Sequence, residues 1–279
     1  MLSGTVVAAV LFAALLHASW NALVKSSTDK DLDTALIHLI GSLLAIPLVL
    51  WVGLPEPAAW PYIAASLCVH IGYYLALTGA YRHGDLGLTY PLMRGVAPML
   101  VALSATLTLG EHLTPLAWAG VLGICGGVMV LGLSAQALKV PKAIAFALAN
   151  AVIIAMYTVI DGLGVRLSGN AIAYVVTLFL LDGWPFGLMV WAKRKGEFTR
   201  YARKRWPIAT LGACASLGSY GIALWAMTQA PVATVAALRE TSVLFAVLLG
   251  AWLLKEAFTV RRALGTAIIL GGVVALRLA

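Results

Sequence analysis

Apolar runs of about 20 residues, divided by short breaks of charge, proline and glycine, follow one another along the whole chain. A run of ~20 apolar residues at ~1.5 Å rise per residue crosses a hydrocarbon core as one helix. The runs predict helices near 4–24, 34–53, 60–81, 88–109 and 115–137, then 143–163, 171–191, 206–229, 231–254 and 262–278. Most breaks are a few residues long, so consecutive helices are expected to be antiparallel neighbours with no room for a soluble domain. The first run starts at Leu2 without a basic leader and is expected to be kept as a helix rather than removed as a signal.

The pattern also repeats. Sliding the chain on itself matches Arg94 with Arg239 at an offset of 145, Glu111 with Glu256, Thr114 with Thr259, Gly120 with Gly265, and Gly126-Gly127-Val128 with Gly271-Gly272-Val273. One gap upstream moves the offset to 146 and matches Trp60-Pro61 with Trp206-Pro207 and Gly72, Tyr74 with Gly218, Tyr220. Two units of five helices result, residues 1–137 and 138–279. Because five is odd, the second enters the membrane from the opposite side to the first. The expected fold is an all-α membrane protein of ten transmembrane helices, two inverted five-helix repeats around a central cavity, which is a transporter architecture.

Composition agrees with lipid as the solvent: 11% of residues are charged, against about 25% in soluble proteins. The net charge of +8 gathers mainly in one connection, 193–205. Lys25, Lys30, Arg82, Lys139, Lys142, that segment, Lys255, Arg261 and Arg262 all belong to odd-numbered connections, and only Arg166 and Arg277 lie on the other side. The skew is a topology signal rather than a nucleic-acid patch, and it places both termini on the non-cytoplasmic side. Cys68, Cys125 and Cys214 lack any partner at metal-ligand spacing and are expected to be small core residues. No cofactor, metal or nucleotide motif is present.

Ionisable and polar groups inside a span are costly and must face protein or water. On the first helix His17, Trp20 and Asn21 stand at i, i+3 and i+4, and His70, Tyr73 and Tyr74 repeat that spacing on the third. The eighth carries Ser216, Ser219 and Tyr220, the fourth Tyr90 and Arg94, and the sixth Asn150, Tyr157 and Asp161 along one side. Arg239 and Glu240, adjacent on the ninth, project ~100° apart. Trp51, Trp60, Trp191 and Trp206 sit at helix ends and fit an interfacial belt. His38 and His70 have two readings, hydrogen-bonded packing or cavity lining; Asp182 likewise either neutralises an arginine or satisfies backbone freed by Pro185. The glycine-rich fifth and tenth helices are expected to pack closely, inside the bundle or against a second copy in a homodimer.

The acidic residue after each unit's fourth helix (Leu109-Gly110-Glu111, Leu254-Lys255-Glu256), the Leu238-Arg239-Glu240-Thr241-Ser242 stretch and the Gly-Gly-Val near each unit's end resemble the EamA-type transporters of the drug/metabolite transporter superfamily. The likeness covers the whole chain, and within it the bacterial amino-acid exporters of the YddG type are the nearest comparison. It implies a multi-pass protein of the bacterial inner membrane whose cavity is lined by the first, third, fourth, sixth, eighth and ninth helices, the six that carry the stripes.

Arginine matches carboxylate geometry and aromatic faces attract ammonium groups, so a pocket holding both suits a zwitterion such as an amino acid. The expected substrate-binding set is His17, Trp20, Asn21, His70, Tyr74, Tyr90, Arg94, Tyr157, Tyr220 and Arg239. If protons drive transport, Asp161 and Glu240 are the expected carriers, against the alternative that Glu240 only balances an arginine. Pro47, Pro91, Pro98 and Pro185 serve as hinges or as static kinks. The rival readings are a permease for another small polar or cationic solute, drugs included, an intramembrane enzyme and a structural subunit. The enzyme lacks any HExxH, GxSxG or phosphate-cradling loop, and a structural subunit has no need of polar stripes.

Overall fold

The computed structural model describes residues 2–83, 86–132, 140–254 and 259–279, with backbone alone at 25, 74, 78, 81, 82, 86–88 and 249–254. Lys139, Lys255 and Glu256 lie outside the described residues. Those described form helices, one short 3-10 turn at Pro57–Ala59, and no strand. The helices are α1 (Gly4–Lys25), α2 (Lys30–Val52), α3 (Trp60–His83), α4 (Leu86–Thr108), α5 (Pro115–Gly132), α6 (Pro141–Arg166), α7 (Ala171–Lys193), α8 (Lys195–Met227), α9 (Val232–Arg239), α10 (Ser242–Leu254) and α11 (Val260–Leu278).

Among the described residues eight helices, α1 to α8, are long and apolar enough to cross a membrane. Their outer faces are apolar: Leu50 and Leu107 are 82% and 84% exposed, a waste of hydrophobic surface in water but not in lipid. Cys125 is buried as expected, whereas Cys68 and Cys214 are exposed. Helices α2, α4, α7 and α8 run on through Pro47, Pro91, Pro98, Pro185 and Pro207.

Three boundaries differ from the hydropathy reading. Helix α2 begins four residues early, at Lys30, because the Asp29 carboxylate accepts from the Leu32 amide (3.1 Å) and caps it. Helix α8 begins at Lys195, so the basic segment forms its first turns; Lys, Arg and Glu are good helix formers whatever their hydropathy. The expected helix over 231–254 is broken between α9 and α10. There the Glu240 and Thr241 amides bond three residues back, to Ala237 and Leu238, and the Thr241 hydroxyl also donates to the Leu238 carbonyl (2.7 Å). This competition for one carbonyl interrupts the regular ladder.

Polar contacts between connections fall at two ends of the bundle. At one end Arg205 Nε donates to Asp33 Oδ1 (3.1 Å), the Tyr201 hydroxyl donates to the same oxygen (2.8 Å), and Arg194 pairs with Asp29 (2.7 Å). Burial pushes the Asp29 carboxyl up, but the Leu32 amide and the Arg194 guanidinium outweigh it and hold it below the usual carboxylate value. Arg261, at the start of α11, donates to the Leu131 carbonyl at the end of α5 (3.3 Å) on this side. At the other end Arg166 pairs with Glu111 (2.8 Å), whose carboxylate accepts from the Val232 and Ala233 amides (2.9 and 3.4 Å) and so caps α9. Helices α9 and α10 together lead from this second end back toward the start of α11.

Glycines let α5 and α11 approach closely. A Cβ on Gly120 would stand 2.9 Å from the Gly272 carbonyl oxygen, and one on Gly272 would stand 2.8 Å from that of Gly120. Gly127 and Gly265 face each other in the same way, at 2.9 and 3.0 Å. The glycines of α5 and α11 thus meet each other within the bundle. The other main contacts are α2 with α7, α3 with α6, α1 with α8, and α4 with α5 and α6.

Candidate functional site

Midway between the two ends, α4 meets the α9–α10 break. Arg94 Nε lies 2.9 Å from Glu240 Oε2, and its Nη2 donates to the Ser242 hydroxyl (3.3 Å). Both charges are withdrawn from solvent, Arg94 being 8% and Glu240 4% exposed. The Arg94 guanidinium also lies 5.9 Å from the centre of the Tyr90 ring, one helical turn away. The break lets adjacent residues take different partners. Arg239, on the other side of it, places its guanidinium over the Tyr220 ring at 5.2 Å.

Tyr220 in turn donates its hydroxyl to Asp161, and Tyr174 donates to the second oxygen of that carboxylate at 2.8 Å. Asp161 and Tyr174 are both wholly buried. Space for the Tyr174 ring comes from Gly164 on α6, where a Cβ would stand 2.6 Å from it. Tyr157, one turn before Asp161, lies between His70 (4.7 Å between ring centres) and Tyr73 (6.2 Å). Its hydroxyl is within electrostatic reach of Arg239, Arg94, Glu240 and Asp161, which makes it the point where the clusters adjoin.

On α1 the His17 and Trp20 rings meet edge to face at 5.4 Å, with the indole N–H directed at His17 Nδ1 (3.4 Å). His17 is within electrostatic reach of Arg94 and Arg239. Asn21 turns back on its own helix and donates to the His17 carbonyl (2.7 Å). The structure therefore brings together His17, Trp20, Tyr157, Tyr220, Arg94, Arg239, Asp161 and Glu240, with Tyr90 beneath Arg94. Asn150 is not on this surface: it is 1% exposed and donates to the Met93 sulfur (2.8 Å). The Tyr74 side chain lies outside the described residues.

His70 and Asp182 find each other, Nδ1 to Oδ1, at 3.1 Å. The described partner of Asp182 is thus a histidine rather than an arginine or freed backbone. Neither this pair nor the Tyr174 bond to Asp161 had a local signal, since the partners are 112 and 13 residues apart and Tyr174 stands in an apolar run. Ser242 lay in a stretch already singled out. Two surface recesses of about 480 and 580 Å³, lined by residues within 191–203, share no residue with the interior set.

One solved crystal structure of a protein superposes on this chain with a TM-score of 0.74 at 20% identity, covering 98% of this chain and 96% of that one, so the two share a fold. The EamA-like transporter family model matches residues 141–278, the part that supplies Tyr157, Asp161, Tyr220, Arg239 and Glu240. Over this second half the chain belongs to the EamA-like transporter family.

Proposed function

We propose that the protein is a secondary transporter of small polar metabolites, exporting amino acids in the manner of YddG-type proteins by alternating access to the midplane site. The observation that carries this reading is the Arg239–Tyr220–Asp161 arrangement beside Arg94–Glu240. Guanidinium groups suit a substrate carboxylate, while aromatic faces and carboxylates suit its ammonium group. His17, Trp20, Tyr157, Tyr220 and Arg239 keep partial solvent access on helices that pack on one another, as groups lining a hollow do. Asp161 and Glu240 are the proposed carboxylates of ion coupling. The alternative, a permease for an organic cation or another small polar solute, draws on the same aromatic faces.

Flux into proteoliposomes, screened over amino acids and organic cations with and without a proton gradient, separates these readings. Trp20→Ala is expected to weaken the accepted solute by about 1 kcal/mol, roughly fivefold in apparent affinity, while Trp51→Ala, on a lipid-facing helix end, leaves it unchanged. Full transport of every accepted solute by Trp20→Ala assigns that ring to packing instead.

The proposed architecture is ten spans, with α9 and α10 sharing the ninth, in two inverted units, 1–137 and 138–279. Support comes from the reciprocal glycines: under the 145-residue offset Gly120 becomes Gly265 and Gly127 becomes Gly272, so exchanging the units maps the two contacts onto each other. The α3–α6 and α1–α8 contacts exchange likewise, as do α4–α6 and those of α1 with α9 and α10. Both termini are proposed to face away from the cytoplasm of a bacterial inner membrane, since the Arg205, Arg194 and Arg261 end carries the basic excess. A reporter fused after Ala279 is therefore expected to be active outside the cytoplasm; activity within it reverses the assignment.

A further inference from the structure

We propose that the His70–Asp182 pair is a proton-binding site in the interior of the bundle, with His70 held as an imidazolium beside the Asp182 carboxylate. Away from the two ends, the described spans hold three carboxylates, Asp161, Asp182 and Glu240, against two guanidinium groups, Arg94 and Arg239. A net charge in the membrane interior is costly, so a third cation belongs to the set. Glu240 is matched by Arg94 at 2.9 Å, and Arg239 is linked to Asp161 through Tyr220. Asp182 remains, and what faces it at 3.1 Å is an imidazole.

The groups facing His70 support this. Asp182 comes from α7 and Asp161 and Tyr157 from α6, both carboxylates favouring a cation between them, while His38 on α2 shares Asp182 as neighbour. His17 is a poorer host, because it is within electrostatic reach of both guanidinium groups and a third cation there meets like charge. The Tyr157 ring, 4.7 Å from His70, connects the imidazole to the substrate site. With Nδ1–H held on Asp182, the exchangeable proton is on Nε2.

Nitrogen NMR of 15N-histidine-labelled protein in lipid nanodiscs tests the site without any substrate. One histidine is expected to be an imidazolium at pH 7 and to lose that state in His70→Gln and in Asp182→Asn but not in His38→Gln. No imidazolium in the wild type, or one that survives His70→Gln, overturns the proposal. His70→Lys keeps a cation beside Asp182 and replaces His70→Gln if that variant does not fold; it must lose the imidazolium signal too.

Discussion

Replacing Glu240 by Ala is expected to lower the unfolding free energy by about 3–5 kcal/mol, because it strands the Arg94 guanidinium in the bundle without its counter-charge. Arg94→Ala is expected to cost a similar amount by stranding Glu240. The two side chains are 8% and 4% exposed and 2.9 Å apart, so water cannot take the place of the missing partner. The double variant should cost clearly less than the two single costs together, since it removes both charges at once. Denaturation of the purified protein in mixed micelles, with the four proteins compared as a cycle, gives the coupling directly. Single variants that each cost under about 1 kcal/mol, and that add, mean that Arg94 and Glu240 do not depend on each other. The pair also pins α4 to the α9–α10 break, so its loss is expected to loosen the placement of Arg239 over Tyr220.

Gly127→Val is expected to be the most damaging change on the α5–α11 contact, and Gly126→Ala, one residue away, a harmless one. A Cβ at 127 meets the Gly265 carbonyl oxygen at 2.9 Å, an atom of rigid backbone that no rotamer change moves. Overpacking of this kind costs about 1–3 kcal/mol or more, and both extra methyl groups of Val add to it. At Gly126 nothing lies within 4 Å of a new Cβ, and Ala favours the helix over Gly by up to about 1 kcal/mol. The same contrast is expected between Gly272, 2.8 Å from the Gly120 oxygen, and Gly271, which is open. Thermal melts of the four variants in one detergent test the pattern. Equal losses at 126 and 127 mean that the two helices do not meet through these residues.

The tight glycines and the open ones alternate within the two Gly-Gly pairs because adjacent positions on a helix point ~100° apart. That much is periodicity, and periodicity is what this chain states openly. Apolar runs long enough for a bilayer, separated by short polar breaks, determine the number and order of its long helices, since every backbone group must bond within its own helix where no water is present. The stripes at i, i+3 and i+4 likewise marked His17, Trp20, Tyr157, Arg94 and Tyr220 as inward-facing, because lipid rejects them elsewhere. The 145-residue offset and the Leu238–Ser242 stretch pointed to the family whose model matches residues 141–278.

What only the tertiary structure decided is pairing. Asp182 had an arginine or freed backbone as its expected partner and has His70, 112 residues away. Asn150 shares a helix side with Tyr157 in projection, yet it bonds Met93. Tyr174 looked like one more apolar residue and completes the Asp161 cluster through the gap left at Gly164. Hydropathy also missed the start of α8 and the break after Arg239, because it measures preference for lipid and not the hydrogen-bond ladder. The physical reason is common to all of these. Helix formation depends on neighbours along the chain, but which of two faces a side chain meets depends on how each helix is rotated and packed, and that is settled only when all of them close around one another.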